Sequence, residues 1–244
     1  MGFPMNIQNP FKTLPFQNRM LKADFHLHAR EDKQDRISYS AKDLIRLAAK
    51  QKFDVLSFTF HDDLFYPRDL ISFAKKRGIT LVPGTELTIH GRHVLVNGIK
   101  KLPKVKELTG LEKLKDEAII TAPHPFFPTS TALREQLLQN LHLFNNIEYT
   151  ARYNQFVNFN KKAASLAQQS NKPLLGNSDC HHLIYFGYTF TQVDASPSID
   201  SILEALRKKK FQLTTTPLPT KWLLKAGIEN AFNEYVVKRI SPQK

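Results

Sequence analysis

The stretch Lys22-Ala-Asp-Phe-His-Leu-His28 constrains this chain more than any other. Read with the two-residue alternation of a strand, it sets Asp24, His26 and His28 on one face and Ala23, Phe25 and Leu27 on the other. The apolar set suits a core. Two imidazoles and a carboxylate in a row do not, because each is costly to bury unless it is paired or bound to a metal. One His-x-His alone fits a partly exposed edge strand as well as it fits a site. Its weight comes from the acids and imidazoles that recur at later strand ends.

After this strand the chain alternates strand-like and helix-like segments. Ser40 is placed to cap a helix over Ala41–Gln51, and Asp54–His61 reads as a buried strand. Pro67 opens a helix to about Arg77 that Gly78 ends. Thr80–Ile89 reads as a third strand, which Gly91 turns into a fourth over His93–Ile99. Helices are expected near Glu107–Glu117, Thr131–Gln139, Phe156–Gln169 and Ser198–Lys208, with a closing helix from Lys221 onward. Strands are expected over Ala118–His124, Ile147–Thr150, Pro173–His181, Tyr188–Val193 and Phe211–Thr215. Strand, helix, strand at this spacing predicts an α/β fold with a largely parallel sheet, and about seven such units point to a barrel.

At 244 residues the chain is long for one domain, yet alternating barrels reach this size as single units. The expected organisation is an irregular arm over residues 1–21, with three prolines within its first 20 residues and no acid there, followed by one barrel over 22–244. No apolar run approaches the ~18 to 20 residues of a membrane span, and Met1–Asn6 lacks a secretory core, so a cytoplasmic protein is expected. Cys180 is the single cysteine, which removes internal disulfides and cysteine-based zinc sites and leaves any metal chemistry to the nine histidines and the acids. The net charge of +13 favours phosphate-bearing partners, although a cluster such as Arg207-Lys-Lys-Lys210 reads first as a solvated helix end.

His26 and His28 close the first strand, His61 the second and Glu86 the third. His93 begins the strand after it, His124 closes the fifth, and Asp179 with His181 closes a later one. In parallel α/β folds such strand ends converge on one mouth. So many costly groups in one place are most simply explained by a metal cluster.

These residues carry a family resemblance. His26-Leu-His28, Phe58-Thr-Phe-His61, Pro83-Gly-Thr-Glu86, His93-Val-Leu, Ala122-Pro-His-Pro125 and Gly176-Asn-Ser-Asp-Cys-His181 resemble, in order, the successive motifs of the polymerase-and-histidinol-phosphatase (PHP) family. The resemblance implies a distorted seven-stranded β/α barrel with two or three divalent metals at the C-terminal strand ends. It implies that His26, His28, Glu86 and Asp179 hold one metal, that Glu86 bridges to a second held by His93 and His124, and that His61 and His181 hold a third. For that third site the family's usual Ser-Asp-Gly is replaced by Arg30-Glu-Asp-Lys33, so Asp32 is the first choice of acid, with Glu31 and Asp35 behind it. Phe60 stands where an acid is usual, which weakens the same site.

Mixed imidazole and carboxylate ligands suit Mn, Fe or Zn. Two ions sharing Glu86 can activate a water as hydroxide for attack on phosphorus, and Arg30, Arg92 or Arg152 can grip the remaining phosphate oxygens; Arg152 is preferred for its place after Ile147–Thr150. The expected function is a metal-dependent phosphoesterase, foremost a phosphomonoesterase, acting on a phosphorylated small molecule or nucleotide and not at a membrane. The alternatives are a 3′–5′ exonuclease on RNA or DNA and a non-catalytic basic barrel that binds nucleic acid. Asp24 is read equally as an orienting group or a ligand. His90 is second to His93 in its role, and His142, His182 and Cys180 are read as structural or surface residues.

Overall fold

The computed structural model describes residues 19–221. Nearly all of the arm expected over residues 1–21, and the closing helix beyond Lys221, lie outside the described residues. The chain runs through β1 (Leu21–Leu27), α1 (Ala41–Lys50), β2 (Val55–Phe58), α2 (Arg68–Lys75) and β3 (Thr80–Leu81). It continues through β4 (Gly84–Ile89), β5 (Arg92–Asn97), β6 (Ile119–Ala122), α3 (Glu135–Gln139), β7 (Asn146–Thr150), α4 (Asn160–Gln169) and β8 (Leu174–Asn177). The last described elements are β9 (Thr189–Val193), α5 (Ile199–Arg207) and β10 (Phe211–Thr215). No helix among the described residues is long and apolar enough to cross a membrane.

The strands form two five-stranded sheets, β10-β9-β1-β2-β3 and β4-β5-β6-β7-β8. The α/β class is as expected, but the sheets are mixed where a largely parallel one was expected. The pairs β1–β2, β2–β3, β6–β7 and β7–β8 are parallel, and β1–β9, β9–β10, β4–β5 and β5–β6 are antiparallel. The β4–β5 hairpin turns on His90 and Gly91, both at positive φ (49° and 71°), the conformation that a two-residue turn matched to strand twist requires. The single strand expected over Thr80–Ile89 is divided around Pro83, which has no N–H for a ladder. Thr80–Leu81 stays in the first sheet and Gly84–Ile89 opens the second.

That division interrupts the ring of strands expected from the alternation. Between the sheets the ladder shrinks to the isolated bridges Leu27–Cys180 and His61–Glu86. At Gly176 the sheets press together, because a Cβ there would lie 2.6 Å from the Phe190 carbonyl oxygen. The Thr191 hydroxyl accepts from Gly176 N and donates to Gly176 O, each at 2.9 Å.

Local sequence explains the helices. Ser40 caps α1 through a reciprocal pair with Asp43, and Ser198 caps α5. The helix expected near Glu107–Glu117 is a 3₁₀ segment, Leu108–Leu114, with Gly110 inside it weakening α-helix formation. The helices expected from Thr131 and Phe156 begin later, at Glu135 and Asn160. In β1 the pairing with β2 slips between Asp24 and Leu27. Ala23 and Phe25 therefore join the core under α5, and Leu27 joins the core under α1 and α2. With both faces of β1 buried, Asp24 and His26 must find their partners inside the molecule.

Candidate metal centre

Glu86, 1% exposed in β4, is the hub. Its Oε2 lies 3.2 Å from His26 Nε2, 3.2 Å from His28 Nε2 and 3.3 Å from His61 Nε2. Its Oε1 lies 2.8 Å from His93 Nδ1 and 3.2 Å from His124 Nε2. Those imidazoles come from the ends of β1, β2 and β6 and from β5, so elements far apart in sequence meet at one carboxylate. Asp179 and His181 complete the ring. Asp179 Oδ1 lies 3.5 Å from His26 Nε2 and 3.1 Å from His181 Nδ1.

A layer of carboxylates behind the rings orients them. His26 Nδ1 donates to Glu148 Oε1 at 2.7 Å, which turns His26 Nε2 towards Glu86. Glu148 also accepts from His124 N at 2.7 Å and from Asn177 Nδ2 at 3.0 Å. Asp32 Oδ2 lies 3.0 Å from His28 Nδ1 and 2.9 Å from His61 Nδ1, so one carboxylate points the Nε2 atoms of both rings at Glu86. Asp24 accepts from the backbone of His26 and of Ser178, which clamps β1 to the turn carrying Asp179. Deep burial pushes its carboxyl up to about 7.

The charges in the cluster are mutually held. Burial opposes ionisation of Glu86, but His26 and His93 outweigh it and keep the carboxyl well below its ordinary range. Burial also opposes ionisation of Asp179, which His26, Arg152 and His181 hold well below its range. Against burial, Glu148, Glu86 and Asp179 raise His26 well above its ordinary value, and Asp179 raises His181 to about 10. Each ring nitrogen that faces a carboxylate through a proton could face a cation instead.

Several atoms call for such a cation. Asp35 Oδ2, Asp179 Oδ1 and His124 Nδ1 are buried without a hydrogen-bond partner. Asp35 Oδ2 sits 3.2 Å from His181 Nε2, 3.4 Å from His61 Nδ1 and 3.5 Å from His28 Nδ1, out of hydrogen-bond alignment with all three. Three groups of converging donors result: His26, His28 and Glu86; His61, Glu86 and His93; and His28, Asp35, His61 and His181. The donor chemistry fits divalent ions of the Mn, Fe or Zn kind. His124 and Asp179, at the ends of β6 and β8, hold positive φ (28° and 49°), a local strain of the sort that accumulates at functional sites.

All nine residues expected as ligands, His26, His28, Asp32, His61, Glu86, His93, His124, Asp179 and His181, are thus brought together. The acid whose oxygen joins His61 and His181 in one donor group is Asp35, whereas Asp32 packs behind the rings. Glu31 turns away and accepts from Ala41 N at the start of α1. Of the arginines, Arg152 reaches the cluster, donating from Nη1 to Asp179 Oδ2 at 2.8 Å. Arg30 is exposed and donates to the Ser38 carbonyl, and Arg92 donates to the carbonyls of Ser130 and Ala132. His90 lies in the hairpin turn, and Cys180 is buried, its sulfur receiving the Tyr39 hydroxyl at 3.2 Å. Glu148 is not among the residues the sequence points to, and Asn177 enters only within the motif Gly176-Asn-Ser-Asp-Cys-His181. The one available signal for Glu148 was an acid inside the otherwise neutral strand Ile147-Glu-Tyr-Thr150.

Comparison with known proteins follows the same line. Residues 157–211 match a family model described as PHP-associated. No curated protein matches the chain. Among solved structures, PsfC from Pseudomonas syringae superposes with a TM-score of 0.60 at 18% identity, over 90% of this chain and 100% of that one. A candidate metal-dependent phosphoesterase from Bifidobacterium adolescentis gives 0.52 at 13% identity, over 66% and 87% of the two chains. The lesion-specific endonuclease PfuEndoQ from Pyrococcus furiosus gives 0.55 at 13% identity, over 80% of this chain and 57% of that one. At these identities the solved structures speak for the fold alone. The PHP-associated match, confined to residues 157–211, and the motif series make the chain similar to the polymerase-and-histidinol-phosphatase family.

Proposed function

We propose that this protein is a metal-dependent phosphoesterase that hydrolyses phosphate monoesters of small molecules or nucleotides. The proposed unit starts at residue 22, with the two sheets as halves of a distorted barrel. His26, His28, His61, Glu86, His93, His124, Asp179 and His181, with Asp35 or Asp32, would hold two or three divalent ions. The observation that carries this reading is the five imidazole nitrogens within 2.8–3.3 Å of the two oxygens of the buried Glu86 carboxylate. That arrangement suits a carboxylate shared between cations.

Bound ions would polarise phosphoryl oxygens and activate water. The chain's own part is to hold that chemistry in place. Glu148 and Asp32 hold Nδ1 of His26, His28 and His61, so that Nε2 in each points inward and would be open to a cation once its proton is displaced. Asp179 neutralises Arg152 and positions it, leaving guanidinium donors for a phosphoryl oxygen. At 28% side-chain exposure, Arg152 and His181 are more accessible than Asp35 at 21% and His93 at 13%, and a substrate phosphate would enter on their side.

One observation favours the nuclease reading as a second choice. Phe156 and Phe159 are 73% and 42% exposed, and Phe159 packs on Phe127, whose ring lies 6.3 Å from that of His124. Exposed aromatic rings beside a phosphate site offer stacking surfaces for bases. The test is metal analysis of protein purified without chelator, then phosphate release from mono-, bis- and oligonucleotide substrates. About two or three transition-metal ions per chain and release from monoesters are expected. Shortened oligonucleotides without monoester cleavage would favour the nuclease, and failure to retain or take up Mn or Zn would sink both readings.

A further inference from the structure

The opposite end of the parallel strands, where β6, β7 and β8 begin, holds a cavity of about 390 Å³. Its wall carries Lys115 ahead of β6, His142 ahead of β7, Lys172 ahead of β8, and Arg207 and Lys209 ahead of β10. Among the described residues that line it there is no aspartate or glutamate. Lys115 is paired with Glu112 outside the wall, but Lys172, Arg207 and Lys209 have no acid among the lining residues, and like charges so gathered repel one another. The Lys172 ammonium is held below its ordinary value, first by burial and then by Lys115 and Lys209.

The contacts that hold these groups leave donors to spare. Lys172 Nζ donates to the Phe144 carbonyl at 2.5 Å, Lys209 Nζ to the Asn171 carbonyl at 3.0 Å, and Arg207 Nη2 to the Glu117 carbonyl at 3.1 Å. Lys115 Nζ donates to Glu112 Oε1 at 3.1 Å. Each ammonium has three donors, so each keeps some for a guest. Arg207 Nε is buried with no hydrogen-bond partner, a costly state.

We infer that this cavity is an anion site, separate from the metal centre, that takes a compact polyanion bearing two or more phosphate groups. A single phosphate would leave most of the donors unused. The cavity falls within the ~300–1,000 Å³ range of small-molecule sites, lysines suit phosphate as point charges, and Arg207 adds a planar fork. The inference does not depend on the enzymatic reading.

The test is calorimetric titration of the intact protein with sodium pyrophosphate at two ionic strengths, before and after chelation of metal. Saturable binding that survives chelation and weakens with salt is expected. The double variant Lys115→Gln/Lys209→Gln should weaken it roughly tenfold. Arg207→Lys, which keeps the charge and removes the fork, gives an independent second variant with the same expected direction. Glu86→Gln, at the other end, should leave pyrophosphate binding to the chelated protein unchanged. Absence of binding, or binding lost on chelation or in Glu86→Gln but kept in both basic-site variants, would overturn the inference. So would binding of a single-stranded oligonucleotide, weakened by the double variant, with no binding of pyrophosphate.

Discussion

Where β1, β2, β6 and β8 finish, each buried acid of the cluster faces a ring or a guanidinium. Where β6, β7 and β8 begin, Lys115, Lys172, Arg207 and Lys209 surround a cavity with no acid in its described wall. The first end compensates its charges internally, and many of its compensating partners are imidazoles that can exchange a proton for a metal ion. The second end, apart from the Lys115–Glu112 pair, leaves its charge to be compensated from outside. Burial accounts for the contrast: Glu86 and Asp179 are 1% exposed and could not persist unpaired, whereas Lys209 is exposed and shares its charge with water.

The sharpest way to break this picture is at the hub. Glu86→Gln keeps the shape and removes the charge that five imidazoles face. It should lower kcat by roughly a thousandfold or more and remove at least one ion per chain by metal analysis. Near-normal turnover at saturating metal, with the fold confirmed by circular dichroism, would move the catalytic centre elsewhere.

The next effect tests the layer behind the rings. Glu148→Gln removes the charge that fixes the His26 tautomer and weakens the tether on His124 N. A loss of about 10- to 100-fold in metal affinity or activity is expected, the usual cost of removing a group that orients a metal-binding histidine. A titration of chelated variant with Mn, read as activity recovered against free metal, separates weakened affinity from a lost centre.

A smaller effect distinguishes the two acids of the Arg30–Asp35 loop. Asp35 Oδ2 is unpartnered among three rings and Asp32 Oδ2 is bonded to two of them. Asp35→Asn should lower the metal content of the third donor group. Asp32→Asn should keep that content and slow turnover by disordering His28 and His61, and both should hurt less than Glu86→Gln. Equal metal loss in the two variants would merge the roles given to them here.

Much of the convergence on Glu86 is legible in the sequence because strand ends carry a signal of their own. An imidazole at the end of an apolar run, repeated at His26, His61 and His124, has few explanations apart from convergence. Glu148 had no such signal. It is one acid in a five-residue strand, and its partner His26 lies 122 positions away in sequence. The choice between Asp32 and Asp35 was illegible for a different reason. A loop without periodicity leaves long-range packing to decide which carboxylate turns inward. The fold was misread mainly at Pro83, where a strand that looked continuous passes from one sheet to the other. Pro83 is itself a ladder breaker, set within an apolar run that otherwise reads as one strand.

The smallest expected effect is a pH dependence that reverses on adding metal. In metal-free protein the carboxyls of Glu86 and Asp179 are held well below their ordinary values, so their contribution to stability is present above about pH 4 and is lost only in strong acid. His181, raised to about 10, and His26, raised well above its usual value, work in the other direction. Their contribution is complete below an unfolded value of about 6.5 and drains away as pH rises through the folded values. Chelated protein should therefore melt a few degrees lower at pH 8.5 than at pH 6. Bound metal displaces the same ring protons, so its stabilising effect must grow as pH rises. Melting curves of chelated and Mn-loaded protein at the two pH values should diverge at the higher one. A metal-induced shift that shrinks with rising pH would mean that ions bind without displacing these protons, and the internal compensation ascribed to this end of the molecule would be wrong.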